Sequence, residues 1–146
     1  MNDRDLECPG IGTLRYEKEY DWYKGKLKIQ QSDISIQLST DAENSVASAL
    51  KRASNFVGEV ENYARLAKEY AAECLLQIKN ENWIDDEDEE PLTPEQFQQR
   101  MTLESISIDA DGEVSFYHND GDLFWGHCIL VTMNSENLFI GAETAG

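Results

Sequence analysis

The chain has 146 residues, a formal net charge of −17 and 40% hydrophobic residues. This composition fits one folded domain of ordinary size and excludes an intrinsically disordered chain. No apolar run approaches the roughly 18 residues needed to cross a bilayer, and the N-terminus lacks the basic start and apolar stretch of a secretory signal. We therefore expect a cytoplasmic protein.

The negative charge is concentrated in the C-terminal part of the chain. Residues 81–146 hold 16 acidic residues and one base, Arg100, and so carry −15 of the net −17. Nucleic-acid binding and docking on anionic membranes both need Lys and Arg clusters. We expect neither of these partners, and the acidity favours a basic protein partner.

The sequence contains no recognisable catalytic, metal or phosphate-binding motif. Cys8, Cys74 and Cys128 are odd in number and widely spaced, which argues against a disulfide framework and a zinc site. Cys74 and Cys128 lie in apolar patterns and are expected to be buried. Asp109–Gly112 begins like a calcium loop, but its glycine comes at the fourth position instead of the sixth. We expect no cofactor, no metal and no catalytic residue.

The first elements are an arm and three strands. Residues 1–11 are expected to form a flexible arm because Cys8-Pro9-Gly10 breaks regular structure. Residues 12–146 are expected to form a single α+β domain. Its first strands are predicted where apolar and polar residues alternate. These are Leu14–Tyr16, Trp22–Ile29 and Ile34–Leu38.

Three helices follow in the predicted order. Thr40 or Asp41 is a candidate N-cap, and Glu43 completes a capping box. Apolar residues at helical spacing then predict two long helices, which Gly58 breaks or kinks. The two stripes are Val46, Leu50, Ala53 and Val57, then Tyr63, Ala67, Tyr70, Cys74 and Ile78, the second flanked by Ala64, Ala71 and Leu75.

The third predicted helix is short and begins with a second capping box. Thr93 is its cap, Pro94 occupies the first helical position and Gln96 completes the box. Phe97 and Met101 form its buried side. Before it lies an acidic run that repels itself and is expected to be a solvated loop. This acidic run is Asp85, Asp86, Glu87, Asp88, Glu89 and Glu90.

Four strand patterns end the chain, with Asp-Gly pairs in the hairpin turns Asp109–Gly112 and Asn119–Asp122. The strands are Leu103–Ile108, Glu113–His118, Leu123–Met133 and Leu138–Ala142. Three strands, a block of helices and four strands predict an α+β fold. In it a mostly antiparallel sheet packs against two long helices and one short helix.

Two histidines and two aspartates gather at the last of these hairpins. If Asp120-Gly121 is a two-residue loop, His118 pairs with Leu123, and His118 and His127 lie roughly 13 Å apart. Ligand bonds of about 2 Å then exclude a single metal bound by both. An alternative function remains open, that of a small-ligand-binding protein or enzyme. Its residues would be His118, Asp120, Asp122, Trp125 and His127.

Trp83 lies two residues before the acidic run. An aromatic anchor beside carboxylates suits a basic protein surface. The predicted partner-binding residues are Trp83, Asp85, Asp86, Glu87, Asp88, Glu89, Glu90, Asp120 and Asp122. A role of the run in solubility alone is the competing interpretation.

Several stretches resemble one bacterial family, the domain-of-unknown-function family 2262, over roughly residues 12–146. They are Gly12–Tyr16, Tyr20–Lys26, Lys68–Ala72, Asn80–Trp83, Leu103–Ile108, Asp120–His127 and Ala142–Gly146. The resemblance implies no assigned activity. By analogy with small acidic immunity proteins, it suggests an inhibitor that neutralises a basic toxin, such as a nuclease, by charge mimicry.

Overall fold

The computed structural model describes residues 5–83 and 90–145. Eight strands form one sheet, and the helices pack on one of its faces. The strands before the helices are β1 (Leu6–Cys8), β2 (Gly12–Glu17), β3 (Trp22–Ile29) and β4 (Ser32–Ser39). The helices are α1 (Ala47–Phe56), α2 (Val60–Asn82) and α3 (Pro94–Arg100). The strands after them are β5 (Thr102–Ile108), β6 (Val114–Asn119), β7 (Cys128–Met133) and β8 (Phe139–Ala145).

The strands lie in the sheet in the order of the chain, from β1 to β8. Neighbours are antiparallel except β4 and β5, which are parallel, with Ile36 opposite Ile106. Parallel neighbours need a long crossover connection, and the helices supply it. The predicted α+β class with a mostly antiparallel sheet is confirmed.

The count of strands before the helices differs from the prediction. Four strands precede the helices, where the sequence predicted three. The additional strand β1 lies in the segment expected to be a flexible arm, and Leu6 pairs with Leu14 of β2. Cys8 is buried in the core. Three residues are too few for alternation to reveal a strand.

The prediction of two long helices is not matched exactly. α1 and α2 form a continuous helical segment, joined by one 3₁₀ turn at Val57–Glu59. Gly58 lies in this turn, where a break or kink was predicted. A single glycine costs only about 1 kcal/mol in a helix, so the α-helix resumes at Val60. The segment also begins later than predicted. Asp41 does not cap the helix. It stabilises the loop before α1, where its Oδ1 accepts hydrogen bonds from the backbone N–H groups of Glu43 and Ser45 at 2.9 and 3.0 Å.

The buried face of α2 is centred on Ala67 and the predicted flanking residues Ala64, Ala71 and Leu75, and it consists mainly of small residues. It comprises Val60, Ala64, Ala67, Ala71, Ala72, Leu75 and Lys79. Alanines let the helix approach the sheet closely, so the two tyrosines lie at the margins of the contact. Tyr63 stacks on Phe56 and Tyr70 on Phe139, at ring distances of 5.5 and 5.4 Å.

The predicted burial of two cysteines is wrong for one and partial for the other. Cys74 is exposed, as is Ile78, because the face of α2 that carries them points away from the sheet. Cys128 is half-buried at the start of β7. In the described part of the chain, no helix combines the length and apolarity needed to cross a membrane.

The short helix α3 agrees with its prediction. Thr93 Oγ1 accepts a hydrogen bond from the backbone N–H of Gln96 at 3.2 Å, and Gln96 Oε1 accepts one from the N–H of Thr93 at 3.0 Å. Phe97 and Met101 are both buried. The ring of Phe97 lies 6.1 Å from that of Phe124, so α3 supports the connection between β6 and β7.

Candidate functional site

The connection between β6 and β7 is a long loop, not a two-residue turn. His118 pairs with Ile129 and Asn119 with Cys128, so residues 120–127 form the loop. The predicted pairing of His118 with Leu123 is therefore wrong, as is the predicted strand start at Leu123. Leu123 and Phe124 are nevertheless buried. Buried apolar residues in a loop produce the same local sequence pattern as a strand, which explains the wrong prediction.

The carboxylate of Asp120 organises this loop from inside. Its Oδ1 accepts a hydrogen bond from the backbone N–H of Asp122 at 2.9 Å, and its Oδ2 accepts from Phe124 and Gly126 at 2.9 and 3.1 Å. Asp120 is only 1% exposed. Backbone donors satisfy both of its oxygens, as a buried carboxylate requires. Asp120 therefore presents no carboxylate to a partner, contrary to the sequence-based interpretation.

Gly121 joins the loop to the end of α3. Its φ is +56°, and a Cβ at this position would lie 2.2 Å from the carbonyl oxygen of Arg100. Glycine is required here because it tolerates this φ and leaves room for the neighbouring backbone. The side chain of Arg100 also contacts this glycine: its Nε and Nη2 atoms donate hydrogen bonds to the carbonyl oxygen of Gly121 at 3.0 and 2.5 Å.

An aromatic cluster forms where this loop meets the end of α2. The ring of Trp83 lies 4.7 Å from that of Trp125, 5.4 Å from that of Phe124 and 5.6 Å from that of His127. Phe124 points into the core, whereas Trp125 is 56% exposed and has a φ of +60°. We call Trp83, Trp125 and His127 the tryptophan surface.

The sequence predicts Trp83 as a partner-binding residue and Trp125 as a member of the alternative hairpin site. The structure brings these two rings together from positions 42 residues apart. No local signal in the sequence indicates that pairing. His127 is held beside them, with its Nδ1 2.5 Å from the carbonyl oxygen of Phe124.

The predicted acidic contacts fall into three groups. Asp122 and Glu90 are exposed, and the carbonyl oxygen of Asp122 accepts a hydrogen bond of 3.4 Å from the N–H of Trp125. Asp120 is buried, as described above. The remaining members of the acidic run, Asp85 to Glu89, lie outside the described residues.

His118 occupies an environment unlike that of His127. Its side chain is 1% exposed, and its Nδ1 lies 3.2 Å from the carbonyl oxygen of Ile129. Because a carbonyl only accepts, this nitrogen carries the proton. Its Nε2 has no hydrogen-bond partner among the described residues. Burial, with a smaller contribution from the charge of Lys68, lowers the pKa of His118 to about 4.

The structure does not assemble the hairpin residues into one accessible site. His118 and Asp120 point into the protein, whereas Asp122, Trp125 and His127 lie on the outer part of the loop. Within residues 5–83 and 90–145, no group of three or more His, Cys, Asp or Glu side chains is placed to hold a metal ion.

Comparison with known proteins identifies one family. Residues 9–144 match the family described as "Uncharacterized protein conserved in bacteria (DUF2262)". No curated protein and no solved structure matches the chain. The family match spans nearly the whole sequence and confirms the resemblance carried by residues 12–146. The chain therefore belongs to the family of domain of unknown function 2262.

Proposed function

We propose that this protein is a cytoplasmic protein-binding module that captures a basic protein and catalyses no reaction of its own. The observation that supports this best is Trp125, which is 56% exposed and packed on Trp83. Tryptophan is enriched among the residues that contribute most to binding energy at protein interfaces. A loop held by Asp120 and Gly121 presents Trp125 in a fixed position, which lowers the entropic cost of binding.

Charge supports a basic partner. Asp122 lies two residues beyond the loop-organising Asp120 and is exposed, and the acidic run Asp85–Glu90 follows Trp83 in the sequence. Carboxylates around an aromatic anchor attract Lys and Arg side chains and raise the association rate at low salt. The aromatic anchor and the surrounding acids thus play different parts, the first in affinity and the second in steering.

A toxin that acts on nucleic acid is the partner class that this chemistry suits. The active site of a nuclease must present basic groups to phosphates. A surface rich in carboxylates competes with the phosphates for these basic groups, and this competition is what charge mimicry means. In this proposal the protein is an immunity protein that covers such a basic cleft.

The alternative of an enzyme or small-ligand protein built on the hairpin has less support. Its would-be acid–base groups include His118 and Asp120, which are buried and engaged with the backbone. A general acid or base must reach the proton it transfers within hydrogen-bond distance.

The test is capture of a partner by tagged protein from a bacterium that encodes it, followed by affinity measurement with the purified partner. We expect the partner to be rich in Lys and Arg and to dissociate as salt is raised. Trp125→Ala should weaken binding at least tenfold, since it removes a central aromatic anchor. Reversal of Asp85–Glu90 to Lys should lower the association rate and remove its salt dependence.

Tyr20→Ala is the matched control, because Tyr20 is also an aromatic residue that is 56% exposed but lies between β2 and β3. It should bind like the wild type. Full affinity of both the Trp125→Ala and the charge-reversed protein, with their folds intact by circular dichroism, would refute the proposal. So would a partner that is neutral or acidic.

A further inference from the structure

A cavity of about 300 Å³ lies between α2, the β3–β4 turn and the start of β5. Its apolar walls include Ile29, Ile34, Ala64 and Leu103. This volume is at the lower end of the range for sites that enclose small molecules. None of its lining residues belongs to the tryptophan surface or to the β6–β7 loop.

Lys68 is the distinctive polar group in this cavity. Its side chain is half-buried on α2 and forms no hydrogen bond or ion pair with any residue in the described ranges. Burial lowers the pKa of Lys68, and no neighbouring carboxylate counters the effect. An ammonium group that is partly removed from water without a counterion is unfavourable. A bound anion would supply that counterion.

The other two charged side chains that line the cavity already have partners. Arg65 donates to Asn62 Oδ1 at 2.7 Å and forms an ion pair with Glu69 at 3.4 Å. Glu61 Oε1 accepts a hydrogen bond from the backbone N–H of Gln30 at 3.4 Å. Lys68 is therefore the one lining charge that lacks a partner among the described residues.

The position of Glu61 limits the charge of a ligand. Glu61 and Lys68 are seven residues apart on α2, so they lie on the same side of the helix and roughly 10 Å apart along its axis. An anion at Lys68 can extend between them along the apolar walls. A second negative charge at the far end of the ligand would meet the carboxylate of Glu61.

The turn at the rim of the cavity is strained. Gln30 and Gln31, the two residues between β3 and β4, have φ values of +49° and +71°. Such hairpin turns favour Asn and Gly at these positions, because a positive φ is sterically unfavourable for other side chains. Strained backbone conformations of this kind are found most often at ligand-binding and active sites. Here it places Gln30 in the cavity wall.

We propose that this cavity binds a small monocarboxylic acid with a short apolar body, whose carboxylate pairs with Lys68. The single unpaired ammonium matches one negative charge, and the aliphatic walls match a hydrocarbon chain or ring. The hydroxyl groups of Ser32 and Thr102, which also line the cavity, are further donors for the carboxylate. This site is separate from the proposed protein-binding surface and does not depend on it.

The test is titration of the purified protein with hexanoate and benzoate, followed by calorimetry and by amide NMR shifts. We expect one saturable site with a Kd on the order of 1 mM or tighter. The largest shifts should occur at Lys68, Gln30 and Leu103. Succinate and inorganic phosphate should bind at least tenfold more weakly than hexanoate, because each brings a second negative charge.

Three variants test the charge of Lys68. Lys68→Met keeps the length of the side chain and should weaken hexanoate binding at least tenfold, whereas Lys68→Arg should retain binding. Lys51→Met, an exposed lysine on α1, should bind like the wild type.

The inference is overturned if hexanoate and benzoate give no saturable site on the wild-type protein, or if phosphate binds more tightly than hexanoate. Equal hexanoate affinity of the Lys68→Met protein also overturns it. Loss of hexanoate binding in Lys68→Met but not in Lys51→Met, with cooperative unfolding retained in both proteins, supports it.

Discussion

At the scale of single residues, His118 couples the stability of this fold to pH. Its ring lies on the core face of β6, with one nitrogen facing the carbonyl oxygen of Ile129 and the other without a partner among the described residues. The neutral ring fits this site, whereas a protonated ring would be a buried cation. Burial accordingly holds the pKa of His118 at about 4, below the ordinary value of 6.5.

We expect the free energy of unfolding to fall as pH falls from about 6.5 to about 4. In this window the unfolded chain binds a proton at His118 and the folded chain does not, so stability rises with pH. The loss between pH 7 and pH 5 should be about 2 kcal/mol from this group. Urea unfolding of the wild type and of His118→Leu at pH 7, 6 and 5 measures the contribution as the difference in slope.

Asp109 contributes with the opposite sign, because burial and the nearby Asp111 raise its pKa. It is present in both proteins and cancels in the comparison. An unchanged slope in His118→Leu would show that the ring does not control stability.

At the same scale, one type of side chain serves opposite roles. Asp120 and Asp122 are two positions apart, yet the first is buried under three backbone hydrogen bonds and the second is exposed. Their identity alone could not distinguish them. The difference arises because the loop folds back over Asp120 and brings backbone N–H groups to its oxygens.

At the scale of elements, the capping box of α3 holds the helix that supports the candidate binding loop. The reciprocal bonds between Thr93 and Gln96 satisfy two N–H groups that a helix end otherwise leaves free. Phe97 on this helix contacts Phe124, next to the exposed Trp125. The cap therefore links local sequence to the placement of the tryptophan surface.

Thr93→Ala should lower the free energy of unfolding by about 1 kcal/mol, the usual cost of removing an N-cap side chain. Chemical denaturation measures this value. Gln99→Ala, an exposed change in the same helix, should stay within about 0.5 kcal/mol of the wild type. Equal effects of the two substitutions would mean that the cap contributes nothing specific.

The long helical segment shows where periodicity is ambiguous. The predicted stripe combined the buried Ala67 with residues that the structure leaves half-buried or exposed. Close packing against the sheet buries Ala67 together with the flanking Ala64 and Ala71. The tyrosines then pack at the margins, where their larger rings have room.

At the scale of the whole molecule, the net charge of −17 opposes folding, because folding brings like charges together. Within the described residues one ion pair, Arg65–Glu69, is formed, and it is exposed. The fold relies mainly on its apolar core.

We expect stability to increase with salt. Raising NaCl from 10 to 150 mM shortens the screening length from about 30 to about 8 Å. The free energy of unfolding should rise by about 1 kcal/mol, with Tm several degrees higher. Thermal melts in NaCl and KCl should agree, since screening does not depend on the cation. A flat or falling Tm would show that repulsion among the carboxylates is not a significant cost.

The sequence by itself determined the α+β class, the place of seven of the eight strands apart from the start of β7, the Asp109–Gly112 turn and the cap of α3. Strand alternation and helix capping depend on residues close together in the chain, so they can be read locally. It also singled out Trp83, since a tryptophan before six acids is a local feature.

Only the tertiary structure decided the strand β1, the buried face of α2, the long β6–β7 loop and the pairing of Trp83 with Trp125. It also decided that Asp120 is internal and that Lys68 lines a cavity. The physical reason is the same in each case. Whether a side chain is buried, bonded or exposed depends on groups that the fold brings from distant parts of the chain.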